Sequence, residues 1–339
     1  MTSGTRKKLG RRELGRSALA LLFAGACGTT PRTPRPAAAV RVWSWFDLPR
    51  SDPRSRELSG IAWDDAARRL WAVQDETRDL VTLVPDADLR TWSFGPSVRI
   101  ASELAADLEG IALVPGGLAV ASEKGPHVLE IDRDGRLLRE LPLPSELAEA
   151  RHNKSLESLT ATPDGAALYT ASEDALPRDA KRRHRIVRLD RTTGAATEHA
   201  YASDEAAHGH DHGVADLAAI ADGDLLVLER GWAPGHGNTI RIYRVRLADA
   251  STCTGAPRLA SSSPTTDKQL LVDLASLPTD GLGLPPPAQP QPSPLLDNFE
   301  GLALGPRLPG GDRALLLVSD DNARPDQVAR LVVLAVPGL

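Results

Sequence analysis

Apolar residues occur along this chain in short runs, and five of these runs begin at or just behind an acidic residue. The five runs are "RELSGIA" (56–62), "DLEGIA" (107–112), "SLESLTA" (155–161), "VADLAAI" (214–220) and "DNFEGLALG" (297–305). A turn follows each run, and a second apolar run then ends in acid, as in "LYTASED" (168–174). Short strands with turn residues between them and almost no helical periodicity predict an all-β chain.

The repeated unit contains four strands in most of its copies, and four antiparallel strands repeated around an axis predict a β-propeller. Five units predict five blades. A sixth is possible if residues 250–296 contain a degenerate blade, but this Pro- and Ser-rich stretch is interpreted as an insertion of loops. The last unit has no fourth strand after "ARLVVLAV" (329–336). We therefore predict that "VRVWSWFDL" (40–48) completes the last blade and closes the ring.

The repeat places its acidic residues at one edge of each sheet. Head residues stand at the start of the innermost strand and tail residues at the end of the second strand, and antiparallel pairing brings these two ends together. The heads are Glu57, Glu109, Glu157, Asp216 and Glu300, and the tails are Asp75, Glu123, Glu173, Glu229 and Asp320. All of them are therefore expected around the opening of the central channel on one face of the propeller.

So many carboxylates around one channel would repel one another unless a cation compensates them. Because Ca²⁺ accepts about six to eight oxygen ligands in loose geometry, we predict a calcium site, with another divalent metal as an alternative. The candidate metal ligands are Glu57, Asp75, Glu109, Glu123, Glu157, Glu173, Asp216, Glu300, Asp320, Asp321 and Asn322. The competing interpretation is that each acid bonds to backbone N–H groups at a strand turn and binds no metal.

A second motif, "HGHDHG" (208–213), precedes the fourth head. His208, His210, Asp211 and His212 have the residue types of a transition-metal site, but their spacing also fits a solvated Gly/His loop. The sequence contains no GxSxG, Walker, HExxH or CxxC motif.

The N-terminus "RKKLGRRELGRSALALLFAGAC" (6–27) combines a basic region, a short apolar region and small residues before Cys27. Residues 1–26 are therefore predicted to be an export signal of the twin-arginine or lipoprotein type, with Cys27 as the lipidated residue. Simple cleavage of the signal is the alternative. Residues 27–39 are predicted to be a flexible tether, and residues 40–339 a single propeller domain. The expected location is the periplasm or the envelope, as an anchored lipoprotein, or otherwise outside the cell.

The net charge limits the partners. The 339-residue chain has a formal charge of −5, and removing residues 1–26 takes away six basic residues and one acidic residue, which leaves −10. Such an acidic chain argues against a nucleic-acid partner and suits a protein that binds cations. We expect a monomer that acts on a small-molecule ester or phosphoester and touches a membrane only through an N-terminal lipid.

Three stretches carry a family resemblance. "NKSLESLTATPDGAALYTASEDAL", "VADLAAIADGDLLVLERGW" and "DNFEGLALGPRLPGGDRALLLVSDDNA" resemble the phytase-like esterase family of exported bacterial proteins over about residues 55–337. The resemblance implies a propeller-like fold with an acidic active centre. The catalytic residues that it implies are Glu109, Glu157, Glu300, Glu229, Arg230 and Asp320. The heads Glu157-Ser158 and Asp216-Leu217 depart from the family's acid–Gly pattern, which suggests an asymmetric site.

These observations predict a Ca²⁺-dependent phosphoric ester hydrolase in which ring carboxylates hold the metal and Arg230 and Lys124 hold the anion. A metal-dependent carboxylic esterase or lactonase is one alternative. A propeller at the envelope that binds a ligand without turnover is another, because propellers host many functions.

Overall fold

The computed structural model describes residues 39–75, 77–151, 154–205, 212–247 and 250–339. Within these residues, twenty-one strands form five antiparallel sheets, and the innermost strands contact one another in a closed ring. The prediction of an all-β propeller with five blades is confirmed. The predicted export signal, Cys27 and most of the tether lie outside the described residues.

Each blade is one sheet, and the blades are numbered 1 to 5 in the order of their innermost strands along the chain. Blade 1 contains β2 (Leu58–Asp64), β3 (Arg69–Gln74), β4 (Asp79–Pro85) and an outer strand in two pieces, β5 (Trp92–Phe94) and β6 (Val98–Arg99). Blade 2 contains β7 (Leu108–Val114), β8 (Gly117–Ser122), β9 (His127–Ile131) and β10 (Leu137–Leu141). Blade 3 contains β11 (Thr160–Ala161), β12 (Ala167–Ala171), β13 (Arg183–Asp190) and β14 (Ala196–Ala202).

The last two blades contain longer strands. Blade 4 contains β15 (Gly213–Ala221), β16 (Asp224–Ala233), β17 (Gly237–Arg246) and β18 (Lys268–Asp273). Blade 5 contains β19 (Asn298–Arg307), β20 (Arg313–Asp320), β21 (Arg330–Val336) and β1 (Arg41–Asp47). Since β18 is the fourth strand of blade 4, the rest of 250–296 supplies loops and a short 3₁₀ helix (Leu274–Ser276) and no sixth blade.

The core lies between the blades. Successive side chains of a strand point to opposite faces, and both faces of a middle strand are covered by neighbouring blades. In β20, Leu315 and Leu317 pack towards blade 4, whereas Leu316 and Val318 pack towards blade 1. Five apolar clusters fill the five interfaces between blades in this way. This packing explains why the middle strands are continuous apolar runs such as "ALLLV".

The centre of the ring requires small residues. A Cβ on Gly60 would lie 2.4 Å from the carbonyl oxygen of Glu109, and a Cβ on Gly301 would lie 2.5 Å from that of Ser59. A Cβ on Gly110 would lie 2.7 Å from the backbone of Leu159. These glycines therefore let adjacent inner strands approach at backbone distance.

The ring closes between the two ends of the described chain. β1 pairs antiparallel with β21, as the sequence predicts, with Arg41 opposite Ala335. The buried guanidinium of Arg330 donates two hydrogen bonds to the Asp47 carboxylate, at 2.6 and 3.0 Å. A bidentate pair of this kind fixes both distance and orientation at the seam. No helix among the described residues is long and apolar enough to cross a membrane.

Candidate functional site

A β-bulge aims the head side chains of blades 2, 3 and 5 into the channel. In β7, Leu108 pairs with Ser122 and Gly110 pairs with Ala121, so Glu109 is the extra residue between them. In β19 the register breaks in the same way around Glu300. Blade 3 repeats the arrangement, since Leu156 bridges Ser172 and Glu157 follows. A bulged residue is released from the strand ladder and its side chain is re-aimed. Three predicted heads therefore occupy equivalent positions.

The head of blade 1 differs from the sequence prediction. The register of β2 breaks between Leu58 and Ile61, which puts Ser59 in the place of Glu109. Glu57 precedes the strand in a left-handed conformation (φ 51°), and its N–H donates to Asp321 Oδ1 at 3.1 Å. Asp321 Oδ1 also accepts the Ala323 N–H at 3.2 Å. Neither Glu57 nor Asp321 lines the channel opening. Glu57 lies in the loop that joins blade 5 to blade 1, and Asp321 lies in the loop between β20 and β21.

The head of blade 4 is also displaced, here by one residue. Ala215 occupies the bulge, and Asp216 stands where blades 1, 2 and 5 have glycine. Its buried carboxylate accepts N–H bonds from Leu217 at 2.8 Å and from Leu302 at 2.7 Å. Burial nevertheless raises the pKa of Asp216 well above its usual value. Asp216 therefore links β15 to β19 deep in the channel and does not reach the metal-ligand candidates.

Four of the five predicted tails converge, and in blade 4 Arg230 takes the place predicted for Glu229. Asp75, Glu123, Glu173 and Asp320 stand at equivalent ends of the second strands. In blade 4 this place belongs to Arg230, which pairs with Gly213 as Asp320 pairs with Asn298.

Glu229, the predicted tail of blade 4, is one residue earlier and points to the opposite face of the sheet. Its buried carboxylate accepts hydrogen bonds from Tyr201 and Lys268 and from the Asp204 N–H at 2.9 Å. The structure therefore does not bring Glu229 together with the other predicted catalytic residues. The sequence misplaces this residue because one position in a strand decides the face.

The converging side chains line a cavity of about 270 Å³, which we call the mouth. Its lining consists of Asp75, Asp107, Glu109, Glu123, Lys124, Lys154, Glu157, Glu173, Arg230, Glu300, Asp320 and Asn322. Apart from the Asn322 amide, every lining side chain is ionisable, and carboxyl groups outnumber cationic groups eight to three. The mouth is therefore a strongly acidic site with an uneven distribution of positive charge.

One side of the mouth contains cations bound to carboxylates. Arg230 Nη2 lies 3.0 Å from Glu173 Oε1, and Arg230 Nη1 lies 3.0 Å from Glu300 Oε1. Lys154 donates to the other oxygen of Glu173. Burial disfavours the Glu173 carboxylate, but the charges of Arg230 and Lys154 outweigh burial and lower its pKa. The Nε–H of Arg230 is buried and has no hydrogen-bond partner among the described residues.

The other side of the mouth is carboxylate-rich. One oxygen from each of Asp75, Asp107 and Glu109 lies within 4.8 Å of the other two. The nearest cation recorded there is the exposed Lys124, whose Nζ is 3.9 Å from Asp107 Oδ2. Burial, followed by the charges of Glu300 and Asp75, raises the pKa of Glu109 well above its usual value. Three hard oxygen donors at this spacing match the donor set of Ca²⁺.

Proton affinity is high elsewhere in the mouth as well. Burial and the charge of Glu109 raise the pKa of Glu157 well above its usual value. Burial and the charge of Glu300 raise the pKa of Asp320 to about 9. Asp320 therefore holds a proton at neutral pH, and Glu109 and Glu157 bind protons more tightly than ordinary carboxyl groups unless a cation takes the protons' place.

A second acidic cluster lies between blades 3 and 4. One ligand atom from each of Asp204, His212 and Glu229 lies within 4.8 Å of the other two, as in the mouth. Here, however, Lys268 Nζ lies 2.7 Å from Asp204 Oδ1 and also binds Glu229. Of the predicted histidine-rich motif, His208, His210 and Asp211 lie outside the described residues.

Sequence reasoning missed Asp107 and Lys154 as mouth residues. Asp107 stands two residues before Glu109, in the left-handed region (φ 61°), and its position corresponds to Glu57 in blade 1. The acid–Leu–acid–Gly order in "DLEG" is the signal that could have identified it. Lys154 stands three residues before Glu157 and carries no comparable signal.

Comparison with solved structures returns matches of low similarity. Hydrazine synthase of Kuenenia stuttgartiensis matches with 13% identity and a TM-score of 0.38, covering 82% of this chain and 61% of that one. A luciferin-regenerating enzyme matches with 13% identity and a TM-score of 0.40, covering 83% and 92%. A nidogen/laminin complex matches with 11% identity and a TM-score of 0.42, covering 83% and 86%. These likenesses carry no functional argument.

The family comparison is more informative. A search of curated proteins found no match. The model of the phytase-like family, described as "esterase-like activity of phytase", matches residues 53–323. This range contains every residue that lines the mouth and all five inner strands, and it confirms the resemblance seen in the sequence. The chain therefore belongs to the phytase-like family.

Proposed function

We propose that this protein is a metal-dependent phosphoric ester hydrolase that uses Ca²⁺. Family membership supports an ester hydrolase in general. The observation that carries the finer proposal is the division of the mouth into a carboxylate side and a cation side. A phosphoric ester needs both, because its oxygens must be neutralised and its orientation fixed.

The carboxylate side fits a divalent cation. Asp75, Asp107 and Glu109 offer clustered carboxylate oxygens, and Lys124, the cation recorded nearest to them, is exposed. Burial and the charges of Glu300 and Asp75 raise the pKa of Glu109, so a divalent cation bound beside these carboxylates would relieve their mutual repulsion. When bound, a divalent cation supplies a Lewis acid that polarises the ester and acidifies water.

The cation side fits the anion. Arg230 is held between Glu173 and Glu300, so its guanidinium is oriented before a ligand arrives. Its buried Nε–H has no hydrogen-bond partner among the described residues. Lys154 adds a second positive charge beside Glu173. The role of these residues is to bind and orient the ester.

The remaining carboxyl groups are placed to move protons. Asp320, with a pKa of about 9, holds a proton at neutral pH and would donate it to the departing alcohol oxygen. Glu157 is almost fully buried and its pKa is also raised, so it would accept the proton of the attacking water only in its ionised form, which a cation bound nearby would favour. Glu300 forms an ion pair with Arg230, and the Asn298 amide donates to both Glu300 and Asp320. These contacts would keep Arg230 and Asp320 aligned.

A metal-dependent carboxylic esterase is the second candidate. It is favoured by the engagement of Arg230 and Lys154 with carboxylates, which leaves little positive charge for a highly charged phosphate. We propose the same small-molecule substrate class as the sequence suggests, a monomer, and a location outside the cytoplasm.

The decisive experiment combines binding with turnover. Ca²⁺ is titrated calorimetrically into EDTA-treated protein, and release of p-nitrophenol from its phosphate and acetate esters is followed on the same samples. The expected result is Ca²⁺ binding that switches on phosphate ester hydrolysis. Turnover of the acetate alone would select the carboxylic esterase, and binding without turnover of either ester would favour a binding protein. Unchanged turnover in EDTA would refute the metal-dependent proposal.

A further inference from the structure

One hairpin of the propeller is longer than its counterparts. The second strands of blades 1, 2, 3 and 5 end within two residues of the tail position, or on it. In blade 4, β16 has ten residues and continues three residues beyond Arg230, to Ala233. Its partner β17 begins at Gly237 and pairs with it along the whole extension. The hairpin of blade 4 therefore rises past the mouth on one side.

This extension carries an exposed aromatic side chain. Trp232 stands two residues after Arg230, and residues two apart in a strand share a face and are about 7 Å apart along it. That face packs on blade 5 lower down, through Leu226 and Leu228. Trp232 is 46% exposed, and it is the one aromatic residue among the exposed large hydrophobic side chains of the described residues.

The extended hairpin is held in place from behind. The N–H of Asn238, which pairs with Trp232, donates to Gln291 Oε1 at 2.8 Å. A Cβ on Gly237 would lie 2.2 Å from the carbonyl oxygen of Pro290, so the loop before blade 5 contacts the hairpin at backbone distance. The Pro-rich insertion therefore braces the hairpin, and a side chain on a braced strand is pre-organised for binding.

The mouth itself offers nothing to an apolar group. Its described lining is ionisable apart from Asn322 and contains no aromatic residue. A substrate anchored there by its anionic group must leave its alcohol portion outside. Arg230 marks the wall of the mouth from which the extended hairpin rises, and Trp232 is the next side chain on that face.

We propose that Trp232 binds the flat face of a ring in the alcohol portion of the substrate, while the ester anion lies against Arg230. The favoured substrates would be esters of ring alcohols, with either an aromatic ring or a sugar ring, over small chain alcohols. Stacking of this kind contributes through the ring face and is tolerant of the ring's identity. This inference rests on the proposed function.

The test compares ring and chain substrates in Ca²⁺-loaded protein. Hydrolysis of p-nitrophenyl phosphate, glucose 1-phosphate and glycerol 1-phosphate is measured for the native protein and for Trp232→Ala, Trp232→Phe and Leu270→Ala. We expect Trp232→Ala to raise KM for the ring substrates about tenfold, to leave glycerol 1-phosphate unchanged, and to be largely rescued by phenylalanine. Leu270, half exposed on the outermost strand of the same blade, is the matched control and should change nothing.

Binding separates this inference from the proposed function. Phenylphosphonate and methylphosphonate are titrated into the same variants, with thermal unfolding confirming that each is folded. Tighter binding of phenylphosphonate that Trp232→Ala abolishes supports the inference even where no ester is hydrolysed. If Trp232→Ala raises KM for p-nitrophenyl phosphate alone, the ring that Trp232 binds is aromatic. If it raises KM for glucose 1-phosphate alone, the ring is a sugar. The inference would be overturned if the native protein bound phenylphosphonate no more tightly than methylphosphonate, or if Trp232→Ala bound phenylphosphonate as tightly as the native protein does. Either result would count whatever the turnover.

Discussion

Two acidic clusters of similar composition lie in this propeller, and they differ in where their counter-charge comes from. Between blades 3 and 4, Lys268 reaches Asp204 and Glu229. In the mouth, Asp75, Asp107 and Glu109 form an equally tight group whose recorded neighbouring cation is exposed and 3.9 Å away. Lys268 offsets the repulsion between carboxylates in the first cluster, whereas repulsion in the mouth favours binding of protons or of a cation from solution.

The largest expected effect comes from removing the internal cation. Lys268→Met leaves Glu229 and Asp204 without the ammonium that binds both, and breaking a buried pair from one side costs about 3 kcal/mol of unfolding free energy. Urea unfolding of native and variant protein measures the loss. Ca²⁺ affinity should be unaffected, and a parallel loss of affinity would contradict the separation of the two clusters.

The next largest effect concerns the mouth. Glu109→Gln removes a proposed ligand oxygen and should weaken Ca²⁺ binding by at least about 100-fold, since even residues behind a ligand change affinity by about 10- to 100-fold. Unfolding free energy in EDTA should not fall, because the substitution relieves repulsion from Glu300 and Asp75. Calorimetry and urea unfolding provide the two measurements.

The matched control for that variant is Glu130→Gln. Glu130 is a buried glutamate of the same blade, but its carboxylate binds Arg139 and Arg191, away from the mouth. It should retain native Ca²⁺ affinity and lose stability instead. Equal affinities of Glu109→Gln and native protein would mean that this carboxylate is not a ligand.

A smaller effect distinguishes charge pairing from packing in the cluster between blades 3 and 4. Burial opposes ionisation of Asp204, but its bonds to Lys268, Tyr243 and Arg241 lower its pKa from 3.8 to about 2. A lowered carboxyl pKa stabilises the folded protein above the unfolded pKa, and this contribution is lost as pH falls through the folded pKa. Asp204→Asn should therefore be less stable by roughly 1–2 kcal/mol at pH 7, after allowance for partial exposure.

The difference between native protein and Asp204→Asn should shrink between about pH 4 and pH 2. Urea unfolding at a series of pH values checks this. A difference that stays constant down to pH 2 would assign the effect of the substitution to packing.

The smallest expected effect is at the exposed lysine of the mouth. Lys124→Met removes a cation that competes weakly for Asp107, so Ca²⁺ affinity should rise two- to threefold or about 0.5 kcal/mol, with stability changed by less than that. Calorimetric titration detects the change. A loss of stability as large as that of Lys268→Met would remove the contrast between the two lysines.

The fold could be predicted because its signals are local and repeated. Acid-led runs and turn residues recur in every unit, and the middle strands are apolar on both faces. The β1 segment could be assigned to blade 5 because the last unit lacked a partner strand.

The site could be predicted only where the bulge follows the repeat. Glu109, Glu157 and Glu300 fall on it, whereas Glu57 and Asp216 are two and one residues away from the equivalent place. A bulge adds a residue that no pattern of period two reveals, and each one-residue offset reverses the face. The same offset explains why Arg230 lines the mouth, whereas Glu229 faces the cluster between blades 3 and 4.

The counter-charges could not be read from the sequence at all. Lys268 approaches Glu229 from the outermost strand of blade 4, and Lys154 reaches Glu173 from the start of blade 3. Which carboxylates find a cation inside the protein depends on tertiary packing, so sequence reasoning treated all ten acids alike. In the structure, Glu173 and Glu300 bind Arg230, and Glu229 binds Lys268.

The seam in blade 5 sets an order in time. β1 is the first strand of the described chain to be synthesised, yet its partner β21 is the last, and Arg41 must find Ala335. Such a distant contact forms slowly, because the chain between them has to be ordered first. Glu300 and Asp320 belong to blade 5, which β1 completes, and Asp75 belongs to blade 1, which follows β1 in the chain, so the mouth combines residues from the two blades that β1 connects. Cation binding would then arrive with the final step of folding and report that the ring has closed.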